Sequence, residues 1–311
     1  MKKRDRTCNL IIDSCCDLPA ELIGSFEVDV IPFTFTMSDG EHLDDLGVSM
    51  PHQEFYELMR KGEEPKTAQV PFAQFVEAFT RAAQSGMPTV YLSFAAALSG
   101  SYDTAVLAAR EVCAAVPQAE LHVVDTKLPS AAEGLLVMEA VRQLDRGLSA
   151  RELVAWAEEA RNYVNGFFTL PDLESLRRGG RIPDMAALAG SKLDIKPILT
   201  YDLDGRLTLH GVARGRKKSM KQLLQNYADR RGESGLDIVI VSSADAVKEQ
   251  HAMAEQVLKI TEGKVTLLQT QVGPVIGSHV GPGMLAVVFW GEDRRKHVSL
   301  ADRIANAVSG R

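Results

Sequence analysis

"TCNLIIDSCCDLPAELI", Thr7 to Ile23, decides the fold class. Its first half is a short apolar run with β-favouring isoleucines and reads as a buried strand. Asp17 then stands where a helix cap belongs, with Pro19 in the first turn. A buried strand passing through polar residues into a helix is the opening of a βαβ unit. The pattern recurs at "PTVYLS" (88–93) and "LHVVD" (121–125), each followed by a helical segment, 99–116 and 129–147. This alternation, continuing to about residue 148, predicts a parallel sheet.

Between these units, "VDVIPFTFT" (28–36) alternates as one half-buried strand, and "SDGE" (38–41) turns the chain. "PHQEFYELMRKG" (51–62) reads as a helix closed by Gly62. "EEPKTAQV" (63–70) carries no predicted element. The next helix (71–86) places Phe72, Phe75, Val76 and Phe79 on one face. Tyr102, Val106, Ala109 and Cys113 are spaced as a buried stripe of the helix at 99–116. Ser149, three residues before Glu152, has capping-box spacing, and its helix bridges to a second domain.

That domain reads as the strand "GFFTL" (166–170), a helical "PDLESLRRGG" (171–180), and two strands across an Asp204-Gly205 hairpin turn. A basic helix from about Arg216, the strand "LDIVIVSS" (236–243), a helix from Ala244 to Thr261 and the strand "KVTLLQT" (264–270) follow. A stiff loop, "GPVIGSHVGPG" (273–283), leads to the strand "MLAVVFW" (284–290). The tail beyond Trp290 has Leu300, Ile304 and Val308 at the spacing of a short amphipathic helix. A chain of 311 residues exceeds one ordinary core, and the expected division is 1–160 and 161–311.

Composition narrows the function. A net charge of −6 argues against a protein that coats nucleic acid. No run of eighteen apolar residues suggests a membrane span, and the basic start gives way to Asp13 too soon for a secretory signal. Cys8, Cys15, Cys16 and Cys113 match no zinc spacing; reduced thiols in a cytoplasmic protein are expected. Neither a Walker loop nor a dinucleotide-binding glycine motif occurs. "HLDDL" (42–46) reads as a solvated loop rather than a metal site.

Three strands end in small polar residues: Asp13-Ser14, Ser93 to Ser99, and Asp125-Thr126. In open parallel sheets ligands bind beyond such carboxyl ends, although the same residues also serve as helix caps. At "LSGSY" (98–102), Ser99 and Gly100 sit at a helix start, where free amides suit a carboxylate or phosphate. Ser99 as nucleophile is the alternative, with His279 the only available base. Two basic clusters, "LRRGGRI" (176–182) and "ARGRKKSMK" (213–221), read as solvated helix faces or as a docking patch for an acidic partner. No aromatic residues interleave them as nucleic-acid stacking requires.

Taken in order, "DSCCDLP", "PKTAQ", "LSGSY", "LRRGGRI", "GRKKS" and "GPVIGSHVGPG" resemble the motifs of the DegV family of bacterial fatty-acid-binding proteins. The resemblance spans nearly the whole chain. It implies two α/β domains, the first a three-layer parallel sheet and the second a two-layer mixed sheet, with a long-chain fatty acid between them. It also implies a cytoplasmic, non-catalytic protein with no cofactor and no stable membrane anchoring. Its FakB-type members present the acyl carboxylate to a separate ATP-dependent fatty acid kinase subunit, which makes the acyl phosphate used in phospholipid synthesis. Thr67, Ser99, Gly100 and His279 match positions that hold the carboxylate. Arg178, Arg181 and Arg214 fall near positions that engage the kinase. The chain departs from the family in "AAALSGSY", where Ala95 and Ala96 stand for two serines, an expected loss of hydroxyls near the head group. A protonated His279 would make its bond to the carboxylate charge-assisted.

Overall fold

The computed structural model describes residues 6–181, 194–232 and 235–297. The proposed helix carrying Leu300, Ile304 and Val308 lies outside them. In the first lobe, β1 (Asn9–Asp13), α1 (Ala20–Gly24) and β2 (Asp29–Ile31) form the opening unit. Next come β3 (Phe33–Met37), β4 (Gly40–Asp44), α2 (His52–Arg60), β5 (Lys66–Ala68) and α3 (Phe72–Ala83). β6 (Thr89–Ser93), α4 (Ser101–Ala115), β7 (Leu121–Asp125), α5 (Ala131–Asp145) and α6 (Ala150–Ala160) complete the lobe. The parallel sheet runs β2-β1-β6-β7. Side chains alternate across it: Ile11 and Tyr91 pack with Phe75 and Ala108, while Ile12 and Leu92 pack with Leu136 and Leu153. Helices therefore cover both faces, giving three layers.

The strand expected over 28–36 is two strands in two sheets. Pro32 fixes its own φ and offers no N–H, so the ladder stops at Ile31. From Phe33 the chain joins a separate antiparallel sheet, β4-β3-β5. "KTA", left without an element in the sequence, is the third strand, and "HLD" lies in β4 rather than in a solvated loop. The buried side of α4 is Ser101, Ala105, Ala108 and Val112, with Ala109; Tyr102, Val106 and Cys113 are only partly covered. Phe72 likewise stays 40% exposed at the start of α3. The Ser149–Glu152 capping box is present.

One 3₁₀ turn (Arg161–Tyr163) leads into the second lobe. Its elements are β8 (Val164–Thr169), α7 (Glu174–Arg178), β9 (Ile195–Tyr201), β10 (Leu207–Arg214), α8 (Arg216–Arg230) and β11 (Ile238–Ser243). α9 (Val247–Ile260), β12 (Thr266–Gln271), α10 (Pro274–Val280) and β13 (Leu285–Trp290) follow. The mixed sheet runs β10-β9-β8-β13-β11-β12, with only β11 and β12 parallel. "GPVIGSHVGPG" is not a loop. Pro274 opens a two-turn helix, where its missing N–H costs nothing, and Gly281 at φ +71° ends it.

α8 and α9 cover one face of this sheet, where Leu223 and Val257 meet Val241 and Val287. Among the described residues, the second lobe covers the other face only in part, through the short α7 and α10. Phe168 and Ala286 join the core of Phe35, Phe55 and Tyr91, while Val288 and Trp290 join that of Leu136 and Leu153. The first lobe thus supplies the rest of that layer. The fully buried Tyr56 hydroxyl donates to the Val272 carbonyl across the junction at 2.8 Å. Tyr56→Phe strands that carbonyl and is expected to destabilise the protein by about 1–3 kcal/mol in chemical denaturation; an unchanged midpoint and slope would refute the role of this bond.

Candidate head-group and acyl-chain site

A cavity of about 180 Å³ lies between the lobes, with a mainly apolar lining. Thr67, Ser99, Gly100 and His279 all line it. Thr67 is on β5, which pairs with β3 in the register Phe35 to Thr67. His279 is near the end of α10. Their side chains meet with Thr67 Oγ1 2.8 Å from His279 Nε2, although 212 residues separate them.

Both lobes build that meeting. The Gly273 N–H donates to Asp17 Oδ1 at 2.8 Å, and the Val275 N–H donates to Asp44 Oδ2 at 3.1 Å. These carboxylates satisfy amides of the first turn of α10, a seven-residue helix too short to be stable alone. Gly277 lets α10 lie against α2, since a Cβ there would stand 2.5 Å from the Tyr56 hydroxyl. Gly179 does the same for the imidazole: a Cβ would stand 2.2 Å from His279 Nδ1. The first glycine of "LRRGGRI" is therefore required by the histidine, a link invisible in the sequence.

Burial, and secondarily the positive charge of Arg181, push the His279 pKa down to about 4. The imidazole is neutral near pH 7, so the charge-assisted bond expected from a protonated His279 is not present in this state. Its buried Nδ1 has no partner among the described residues, which assigns the proton to Nε2, because an orphaned N–H is the costlier alternative. Nε2–H then donates to Thr67 Oγ1, and the threonine hydroxyl proton is free to point at a ligand. Ser99 Oγ donates to Ser101 Oγ at 3.0 Å and accepts from the Ser101 N–H at 3.2 Å. No imidazole or carboxylate among the described residues bonds to it, so the base required for a serine nucleophile is not in place.

The three arginines part company. Arg181 turns inward, lines the cavity, and donates to the carbonyls of Leu98 at 3.2 Å and Gly179 at 2.6 Å. Arg178 is on the surface, paired with Glu64, and Arg214 is exposed at the end of β10. Neighbouring Arg216 donates to the Gly283 carbonyl at 2.8 Å, so both basic clusters border the segment that leaves α10. Ala95 and Ala96 do not line the cavity. Ala95 is fully buried beneath the β9–β10 hairpin, facing Gly205, and the Ala96 N–H donates to Asp125 Oδ1 at 3.0 Å. The hydroxyls expected to be lost from the head-group region are thus lost from the packing under the hairpin. All four cysteines are free, and Cys15 is part of the cavity wall.

Two α/β lobes enclose a mainly apolar cavity with polar groups at its mouth. The chain belongs to the DegV family: the model described as "Uncharacterised protein, DegV family" matches residues 7–292. A DegV domain-containing protein of Clostridium perfringens is 34% identical over 285 residues, 92% of this chain and 98% of its own. Among solved structures, a fatty-acid-binding DegV family protein from Thermus thermophilus is 29% identical with a TM-score of 0.81, covering 92% of this chain and all of that one. A stearic acid-binding protein from Eubacterium ventriosum is 26% identical with a TM-score of 0.80, covering 94% and 100%.

Two outcomes follow from the electrostatics. NMR titration of the ligand-free protein is expected to place the His279 midpoint near pH 4; a midpoint in the ordinary range of about 6–7 would show the ring to be solvated. Burial raises the Asp44 pKa to about 7. With a folded pKa above the unfolded one, Asp44 favours folding at low pH, and that contribution is lost as pH rises from about 4 to 7. Asp44→Asn keeps an acceptor oxygen but cannot ionise. It is expected to gain on the order of 1–3 kcal/mol relative to wild type between pH 5 and 8, and parallel stability profiles would contradict this.

Proposed function

We propose that the protein binds a long-chain fatty acid with its tail in the cavity and its carboxylate at the mouth. The observation that carries this reading is the Thr67–His279 pair, polar groups of both lobes joined at the edge of a mainly apolar space. A fatty acid has two ends with opposite needs. A tail of about fifteen methylenes gains roughly 0.8 kcal/mol for each one removed from water, and association and ordering take back several kcal/mol. The carboxylate needs donors once it leaves bulk water. The Thr67 hydroxyl and the Gly100 amide supply them, joined by Ser99 Oγ once it turns from Ser101; His279 orients the threonine hydroxyl, and the Arg181 guanidinium supplies positive potential. A bound carboxylate would in turn raise the His279 pKa.

In this reading the chain is a carrier rather than a catalyst, and needs no cofactor. A separate ATP-dependent kinase subunit docks on the basic clusters, with Arg178 and Arg214 facing it. A carboxylate oxygen attacks the γ-phosphorus of ATP on that subunit, and acyl phosphate and ADP leave. The position of both clusters beside the segment leaving α10 supports this, because a partner held there lies next to the head group.

Organic extraction of the purified protein followed by mass spectrometry is expected to yield one equivalent of fatty acid. Thr67→Ala and His279→Ala should each weaken binding about 10- to 100-fold without unfolding the protein. A folded protein that neither carries nor takes up fatty acid ends this reading. Turnover of an activated acyl ester by the isolated chain, abolished by Ser99→Ala, would favour the nucleophile alternative.

A further inference from the structure

The cavity has a direction. At its mouth Gly100 and Gln69 are exposed and Thr67, Ser99 and His279 half-buried, whereas Gly166, Tyr201 and Val288 at the other end are buried. The second sheet measures the distance between the ends. Met284, just past α10, and then Ala286 and Val288 face the cavity at successive alternate positions, so Val288 lies ~13 Å beyond Met284. Val288 pairs with Gly166, and Leu199 pairs with Phe168, so two residues further along Tyr201 comes level with Gly166.

Gly166 leaves a gap in that row, and the Tyr201 ring fills it. A Cβ on residue 166 would stand 2.8 Å from Tyr201 Cε1. The ring is held at two points, its hydroxyl donating to the Val164 carbonyl at 3.1 Å and the buried Arg294 guanidinium lying 4.6 Å above its centroid, and the same arginine anchors the backbone by donating to the Tyr201 carbonyl at 3.1 Å. A side chain so restrained does not swing aside for a longer ligand.

We propose that Tyr201 is the stop that sets the greatest acyl-chain length the cavity accepts. The proposal rests on the fatty-acid reading and adds to it a residue that determines specificity. Its test is competitive loading with an equimolar ladder of saturated fatty acids of increasing length, followed by mass spectrometry of the washed protein. Relative to wild type, Tyr201→Ala should lengthen the longest retained acid by about two to four carbons, because losing the ring opens space. Tyr201→Phe, which keeps the ring, should leave the limit in place. Val288→Phe narrows the same end from the neighbouring strand and should shorten the longest retained acid, an independent arm that does not need the alanine variant to fold. An unchanged limit in folded, loaded Tyr201→Ala, or in folded, loaded Val288→Phe, overturns the stop. Absence of any bound acid from every protein, wild type included, instead overturns the parent reading and the stop with it.

Discussion

Asp17 and Asp44, both buried in the first lobe, hold the opening amides of a helix that belongs to the second. The geometry of the site depends on this grip. Seven residues with a proline and a central glycine do not sustain a helix in water. Satisfied at its first turn and pressed against Tyr56 and Phe55, α10 becomes a fixed arm, with His279 five residues beyond its first one. Burial raises the pKa of both acids well above the usual carboxylate range, so the arm is held by groups that resist ionising.

The same arrangement explains how an apolar cavity survives between two packed lobes. Protein interiors close around voids unless the backbone prevents it. Here the second sheet presents Gly166 and Ala286 where larger residues would meet the first lobe, and neighbouring Phe168 and Val288 complete an apolar wall. Thr67, Ser99 and His279 gather at the mouth. Segregation of this kind suits an amphiphile and suits a small polar metabolite badly, because the inner end is mainly apolar and its Tyr201 hydroxyl already bonds the Val164 carbonyl.

The regular parts of the fold were legible in the sequence because the strands of the parallel unit are short apolar runs set between segments of helical pattern. The failures are local and physical. Alternation continues across Pro32, and the proline that splits the strand was outweighed by that pattern. β5 has three residues, too few to show a period, and its existence depends on β3 beside it. The composition of α10 opposes helix and predicts a loop, while the carboxyl groups that stabilise it are 231 and 256 residues away. Ser99 and Gly100 stand out at a helix start and His279 as the only available base, whereas Thr67 stands out only as a member of the ordered motif set; their convergence on one cavity is a product of the fold. Asp44 was hidden among charged neighbours, and no sequence signal ties Gly179 to the imidazole it admits. Arg181 looked like one more surface charge because nothing in "RRGGR" says which guanidinium turns inward.

Among the described residues, one side of the second sheet has only the short α7 and α10 from its own lobe, and this has a further consequence. That sheet and the first lobe share a continuous hydrocarbon interior, with Phe168 and Ala286 in one cluster and Val288 and Trp290 in another. Parting the halves like a clamshell would wet both clusters at once, at a cost proportional to the area exposed. Threading a flexible chain lengthwise through the opening beside Gly100 leaves that interior dry, and each methylene is transferred from water in its turn.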